Sequence, residues 1–400
     1  MDHYFAELGR TVFARWKTEN FSFERFPQIA AQALEKRPPS KHVDLAALMR
    51  QFLLDDEQPL QSGSDFGQPE LIVYENPRFY IQVLFWLEGT MDIHQHEFSG
   101  AFHVMAGSSI HSEFAFKNPQ SVSAHFRVGD LRLQKTELLE TGATVPIHSG
   151  AGHIHSLFHL DTPSVSVVVR THNDPGTGPQ FTYLPPHIAV DPFFSDTLTV
   201  RRKELLDVME KTGDPAYPVL VLKMLESLDF ERGFFVLQSA MGYLTNLGKW
   251  EKAWKAFQRK HGALADYVKP TLDEIVWRDG PVGLRSSVTD GEHRFFLALL
   301  LNVPSRKDIL DLVARRYPGN PVETVMRWAE ELSEISEVAT WILDAEFPLE
   351  VRVPAEGQAE VFFAALRFFL EGGKGAAFSR ADAGYFRAAF ARSSLRALVS

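Results

Sequence analysis

The spacing of apolar residues changes twice along the chain. In the first sixty residues apolar side chains recur every three or four positions, as in "YFAELGRTVFARW" and "VDLAALMRQFLL", which is typical of amphipathic helices. From about residue 70 the apolar segments become short and β-branched or aromatic, and Gly, Pro, Asn, Asp or Ser separate them. Regularly spaced segments of this kind predict a β sandwich or barrel. After a Pro/Gly-rich connection at 171–193, helical spacing returns.

These changes predict an α+β protein with three regions. The first, 1–65, is a helical segment that packs on the barrel, the second, 66–195, is the β barrel, and the third, 196–400, is an all-α domain whose role the pattern does not assign. In the third region Gly213 is predicted to end a helix. Ser305 and Ser379, each followed by Asp three residues later, are predicted to begin helices.

Composition and charge limit the kinds of molecule that this protein is expected to bind. The formal net charge of −10 and the lack of a Lys/Arg run argue against a nucleic-acid binder. The longest apolar runs, "FFLALLL" and "IQVLFWL", are too short to span a bilayer. The N-terminus "MDHYFAELGRTVFARW" carries charged residues where a signal peptide is apolar. We therefore expect a cytoplasmic protein without nucleic-acid or membrane partners, and a small molecule or another protein as its ligand.

The histidines are concentrated in the predicted barrel. Eleven of the fifteen lie between residues 94 and 187, and the chain has no cysteine. Disulfides, thiolate zinc sites and cysteine nucleophiles are thereby excluded, so histidines and carboxylates must hold any metal ion. Side chains alternate along a strand, so that His94 and His96 project to the same face. His148, His153 and His155 follow a Gly-rich turn about fifty residues later, and on neighbouring strands the two segments allow a three-histidine site.

Two sequence motifs resemble those of the cupins. "GTMDIHQH" through "MAG" resembles their first motif, and "TGATVPIHSGAGH" resembles the second, with His148 where Pro is usual. The resemblance implies a small cupin β-barrel, a double-stranded β-helix, that holds one divalent metal with three histidines and usually a Glu. Here the Glu position falls on Gly100 or Ala101.

The missing Glu points to the cysteine dioxygenase-like, or thiol dioxygenase, branch, whose iron is held by three histidines alone. The similarity covers roughly residues 20–190 and leaves the helical domain unexplained. Carried over, it implies His94, His96 and His153 as metal ligands. His155 shares a strand face with His153 and remains the rival third ligand, or a residue that supports the ligands. The other matching positions are Trp86, Glu88, Gly89, Ser99, Phe102, Pro163 and Ser166.

The sequence also departs from cysteine dioxygenase. That family's Ser-x-His-x-Tyr run corresponds here to Ser166, Val168 and Arg170, so only the serine is retained. The family's cross-linking cysteine falls near Ala101, and its carboxylate-binding arginine has no clear match in "LIVYENPRF". Free cysteine is therefore not the expected substrate. Arg170 shares strand parity with Ser166 and either restores a positive group to the pocket or lies in solvent at the strand end.

Several other residues are candidates by strand parity. His103 shares the parity of position 101, so it either faces the cavity as a fourth ligand or acid/base group or is a packed histidine. Tyr80, Gln82 and Trp86 share one face of the preceding strand and are candidates for the pocket wall, although core packing is favoured for Trp86. The remaining barrel histidines, His111, His125, His159 and His172, are expected to be surface or strand residues.

The leading hypothesis is a mononuclear non-heme iron(II) oxygenase that adds dioxygen to a thiol or another small chelating substrate. His103, Arg170, His155 and Ser166 are its candidate catalytic residues, and Mn, Ni or Zn are alternatives to iron. A second hypothesis is a metal-dependent cupin isomerase or lyase without oxygen chemistry. A third is a non-catalytic binding or scaffold protein. The helical domain could mediate homodimerisation or bind a protein partner.

Overall fold

The computed structural model describes residues 2–61, 66–87, 92–284, 287–345, 357–373 and 378–400. Four helices come first: α1 Asp2–Thr18, α2 Phe26–Lys36, α3 Pro39–His42 and α4 Leu45–Leu54. The strands that follow are β1 Glu70–Glu75, β2 Phe79–Trp86, β3 Ile93–His96, β4 Gly100–Ala106, β5 Ser108–Ser121, β6 Phe126–Glu140, β7 Thr144–Ile147, β8 Gly150–His159, β9 Ser164–Thr171, β10 Thr182–Leu184 and β11 Ile188–Val190.

The rest of the described chain is helical. Its α-helices are α5 Thr197–Thr212, α6 Tyr217–Ser227, α7 Phe230–Asn246, α8 Trp250–His261, α9 Val268–Leu284, α10 Gly291–Asn302, α11 Arg306–Arg316, α12 Pro321–Ser333, α13 Ser336–Ile342, α14 Gln358–Leu370 and α15 Arg380–Phe390. The predicted fold class is thus confirmed: N-terminal helices, then a β barrel, then an all-α second half. Within the described residues, no helix has the length and apolar character needed to cross a bilayer.

The strands form two antiparallel layers. One is a five-stranded sheet in the order β1-β2-β9-β4-β7, and the other six strands pair as β10-β11-β6-β5-β8-β3 and close into a ring. In the first sheet, successive side chains of β2 and β9 lie on opposite faces. Phe79, Ile81 and Val83 share a buried cluster with α1 and α2, whereas the intervening Tyr80 and Gln82 line a cavity on the opposite face. Both faces of this sheet are therefore covered.

The helical half buries the outer surface of the ring. Phe126 of β6 packs edge-on against Phe230 of α7, with ring centroids 5.6 Å apart. Ile110 of β5 and Phe158 of β8 belong to the cluster formed by the last helices. Helices thus cover the outer surfaces of both β layers, and the cavity lies between the two layers.

The predicted helix ends are confirmed. Gly213 follows α5 in the left-handed conformation, at φ 67°, which glycine adopts without steric cost. Ser305 Oγ accepts a hydrogen bond from the Asp308 amide at 3.4 Å, and Ser379 Oγ accepts one from the Asp382 amide at 3.1 Å. Each serine satisfies a backbone donor that the first turn leaves free.

Candidate metal centre

Three histidines from two paired strands converge between the β layers. In the antiparallel pair of β3 and β8, His94 lies opposite His155. One ring nitrogen from each of His94, His96 and His155 lies within 4.8 Å of the others. All three side chains are buried. The strand pairing thus brings together three potential ligands that are far apart in the sequence.

The spacing of the ring nitrogens fits one metal ion. His96 Nε2 and His155 Nε2 are 2.9 Å apart, and two nitrogens that bind one ion at right angles, each at about 2.1 Å, are separated by about 3 Å. His94 Nε2 is buried and has no hydrogen-bond partner. A buried polar atom without a partner costs free energy, and a metal ion would satisfy it. The residues present therefore fit a divalent metal.

A backbone carbonyl fixes the proton on His94. His94 Nδ1 lies 3.0 Å from the Asp92 carbonyl oxygen, which can only accept a hydrogen bond. Nδ1 must therefore carry the proton, so that Nε2 is left with its lone pair. A metal-ligating histidine usually makes this type of contact through its other nitrogen.

Burial keeps these imidazoles neutral. It lowers the pKa of His94, and it lowers the pKa values of His96 and His155 well below their usual range. The neighbouring histidines add to the effect at His96 and His155. Because only the neutral ring offers a lone pair to a metal, the cluster is in its ligand form at neutral pH.

His153, the third ligand implied by motif spacing, lies farther from the pair on β3. Its ring centroid is 6.4 Å from that of His96, whereas the ring of His155 is 5.0 Å away. His153 instead falls in a second, overlapping group with His111 and His155. Its Nε2 is buried without a hydrogen-bond partner, and burial lowers its pKa to about 3. Motif spacing favours His153, and strand pairing favours His155.

Neither position that corresponds to the usual cupin Glu directs a side chain into the cavity. Gly100 pairs with Arg170 of β9, and a Cβ built on Gly100 would collide with the Val169 carbonyl oxygen. Ala101 is buried on the opposite face, in the cluster formed with the N-terminal helices. The close approach of β4 and β9 therefore explains why no acidic side chain stands here.

The expectation that His103 faces the cavity is wrong. His103 Nε2 lies 2.9 Å from Ser40 Oγ of α3, and its Nδ1 lies 2.8 Å from Thr144 Oγ1. The residue is fully buried, and this burial lowers its pKa to about 4. Alternation along β4 places Ala101 and His103 on the helix-facing side and Phe102 on the cavity side. His103 is thus the packed histidine of the two alternatives.

The cavity beside the cluster has a volume of about 300 Å³. Besides His94, His96 and His155, its wall contains two further predicted site residues, Ser166 and Arg170, which β9 places on the same face. It also contains all three candidates from β2, namely Tyr80, Gln82 and Trp86. Gln82 Oε1 and Trp86 Nε1 are buried without hydrogen-bond partners, so a ligand could use both an acceptor and a donor.

Arg170 brings a positive charge to this wall. Its guanidinium carbon lies 3.4 Å from the ring centroid of Phe98 and 5.1 Å from that of Tyr80. Its Nε and Nη2 donate to the backbone carbonyls of Thr171 and His172, each at 3.3 Å. Burial lowers its pKa. Among the described residues no carboxylate lies within ion-pair distance of Arg170, and Glu70, Asp174 and Glu97 act on it only from farther away.

Comparison with known proteins finds only distant structural similarity. No protein-family model matches the sequence, and neither does any curated protein. Among solved structures, a cupin-2 domain protein from Shewanella frigidimarina is 14% identical, with 34% of this chain and 99% of that chain covered and a TM-score of 0.20.

Two enzymes of known structure are also similar to part of the chain. Hydroquinone 1,2-dioxygenase from Sphingomonas sp. is 13% identical over 27% of this chain and 68% of its own, with a TM-score of 0.22. The DMSP lyase DddQ from Ruegeria pomeroyi is 19% identical over 38% of this chain and 75% of its own, also with a TM-score of 0.22. At this distance their activities do not transfer to the present chain.

Two residues beside the histidine cluster, His111 and Glu137, were not predicted from the sequence. His111, expected to be a surface or strand histidine, is buried, and its Nε2 lies 3.1 Å from His155 Nδ1. Its Nδ1 lies 3.2 Å from Glu137 Oε1. The only signal in the sequence was strand parity, which does not tell which strands are neighbours. Glu88 and Gly89, which match the dioxygenase pattern, lie outside the described residues.

Proposed function

We propose that this protein is a mononuclear non-heme iron(II) oxygenase that adds dioxygen to a thiol or another small chelating substrate. The observation that carries the proposal is the buried group of His94, His96 and His155, three neutral imidazoles that no carboxylate joins among the described residues. A site of this composition leaves both positive charges of a divalent ion uncompensated. It therefore favours an anionic substrate atom, such as a thiolate, beside the metal.

In this proposal the three histidines hold the metal, and His94 is oriented by the Asp92 carbonyl. Bound iron(II) would supply the redox chemistry that dioxygen needs. Phe98 and Phe102 contribute apolar surface to the cavity, which excludes water and strengthens electrostatic contacts inside it. Manganese, nickel and zinc fit the same nitrogen donors, so metal availability would decide among them.

Arg170 and Ser166 define the substrate side of the cavity. The unpaired guanidinium would bind a carboxylate or another anion by charge-assisted hydrogen bonds. Its neighbours Phe98 and Tyr80 restrict its orientation. Ser166 offers a hydroxyl on the same face of β9. Since Arg170 replaces the family's Tyr and the family's own arginine has no counterpart, a substrate of different shape from free cysteine is expected.

The test begins with metal analysis of protein produced in iron-supplemented medium. About one iron per chain is expected, together with oxygen consumption in the presence of at least one thiol. His96→Ala should abolish both, whereas His103→Asn, at a buried histidine outside the cavity, should retain both. A metal-free protein without oxygen uptake across a panel of thiols would contradict the proposal.

The same preparations distinguish the other hypotheses. Turnover of a substrate under strictly anaerobic conditions would favour a metal-dependent isomerase or lyase. Tight capture of a partner protein that survives loss of all three histidines would favour a binding or scaffold role.

A further inference from the structure

A chain of hydrogen bonds crosses the barrel wall behind the histidine cluster. It runs from Glu137 on β6 through His111 on β5 to His155 on β8, three adjacent strands of the ring. The Glu137 Oε1 to His111 Nδ1 distance is 3.2 Å, and His111 Nε2 lies 3.1 Å from His155 Nδ1. His111 and His155 are 1% and 2% exposed, so water does not replace either contact.

The carboxylate at one end fixes the proton positions along the chain. An ionised carboxylate only accepts hydrogen bonds, so His111 must carry its proton on Nδ1. When the His111 ring carries this one proton, its Nε2 is an acceptor, and His155 then donates from Nδ1. A neutral His155 ring with its proton on Nδ1 has a free lone pair on Nε2. That atom is the one that faces His96 Nε2, at 2.9 Å.

We propose that Glu137, acting through His111, is a positioning residue that holds His155 in the tautomer and orientation of a metal ligand. This inference rests on the metal site of the proposed function. His94 receives the same support from a backbone carbonyl, which no substitution removes. The orientation of His155, in contrast, depends on two side chains and can be changed by mutation.

The surroundings of Glu137 support the ionised form. Lys135 Nζ lies 2.7 Å from Glu137 Oε1. The hydrogen bond from His111, and then the contact with Lys135, lower the pKa of Glu137 to about 2. The carboxylate is therefore an acceptor throughout the neutral pH range.

Glu113 provides a matched control. Its Oε1 lies 3.9 Å from His111 Nδ1, too far for a hydrogen bond. Glu113→Gln therefore removes a negative charge from the same neighbourhood but leaves the chain intact. Glu137→Gln removes the charge and replaces the obligate acceptor with an amide that can also donate.

The experiment has two readouts. Nitrogen-15 NMR of the histidine rings in metal-free protein reports which nitrogen of His155 carries the proton, and competition with a chelator gives the dissociation constant for Co²⁺. The wild type and Glu113→Gln should show His155 protonated at Nδ1 and equal cobalt affinity. Glu137→Gln should lose the single tautomer and bind Co²⁺ about 10- to 100-fold more weakly. Circular dichroism verifies that each variant is folded.

The outcomes separate this inference from the function on which it rests. A wild-type His155 protonated at Nε2 overturns the inference even if Glu137→Gln fails to fold. Equal cobalt affinities for the two variants also overturn it, and a wild type that binds no Co²⁺ overturns both proposals. Intact cobalt binding with the expected difference, but without oxygen uptake on iron, contradicts the oxygenase proposal alone.

Discussion

His94 and His155 lie opposite each other on neighbouring antiparallel strands, with ring centroids 4.8 Å apart. The register shifts after this pair, so that His96 lies opposite Gly150 rather than a side chain. The imidazole of His155 therefore lies at a similar distance from both rings on β3, 4.8 Å from His94 and 5.0 Å from His96 between centroids. Strand pairing thus favours His155 as the third ligand, whereas motif spacing favours His153.

His155→Ala should consequently remove the metal, because it deletes one of the three converging nitrogens. His153→Ala is the matched control two residues away on the same strand face and should retain metal near the wild-type level. Metal content of the two purified variants checks this. Loss of metal in His153→Ala with retention in His155→Ala would show that motif spacing, not strand pairing, identifies the third ligand.

Arg170→Met should weaken binding of a substrate that carries a carboxylate or similar anion, since it removes the unpaired cation from the cavity wall but keeps the apolar stem. Hydrogen bonds to charged groups contribute about 1.5–3 kcal/mol, so KM is expected to rise by roughly 10- to 100-fold. Iron content should stay the same, because Arg170 is outside the histidine group. Kinetics with an anionic substrate and its uncharged analogue provide the measurement, and an equal effect on both would refute this role.

The free energy of unfolding should depend on pH through His103. Its folded pKa is about 4, below the ordinary value of 6.5, so the unfolded chain binds a proton over this interval while the folded protein does not. Stability therefore rises with pH across the interval: it is fully present above about pH 6.5 and falls toward pH 4, by up to about 1.4 kcal/mol per pH unit. When the free energy of unfolding in urea is measured at a series of pH values, it should rise more steeply with pH for the wild type than for His103→Asn over this interval. The same pH dependence in both proteins would exclude a contribution from His103.

Gly100→Ala should destabilise the protein, because the added Cβ meets the Val169 carbonyl oxygen between β4 and β9. Overpacking of this kind costs about 1–3 kcal/mol. Gly242→Ala is the control, since a Cβ at that helical position meets nothing within 4 Å and alanine is the better helix former. Thermal unfolding of both variants tests the contrast. A Gly100→Ala variant as stable as the wild type would mean that the two strands can separate slightly.

The sequence predicted the order of helices, strands and helices because each kind of element requires its own spacing of apolar residues. It also predicted the histidine pair, since His94 and His96 must share a strand face whatever the rest of the fold. Ser166 and Arg170 were assigned a common face for the same reason, and both line the cavity. These are local properties, because they depend only on the period of a strand.

Tertiary structure alone decided which face of each strand is the cavity side. The five-stranded sheet is covered by helices on one face and by the ring on the other, so both faces are buried and alternation alone does not tell which one lines the cavity. For this reason strand parity left two alternatives for His103, cavity-facing or packed, and the contacts with Ser40 and Thr144 decide for the packed one. The partner of the His94–His96 pair and the link from Glu137 through His111 to His155 depend on register between strands distant in sequence. Register is set by backbone pairing and burial across the whole barrel, which no single segment encodes.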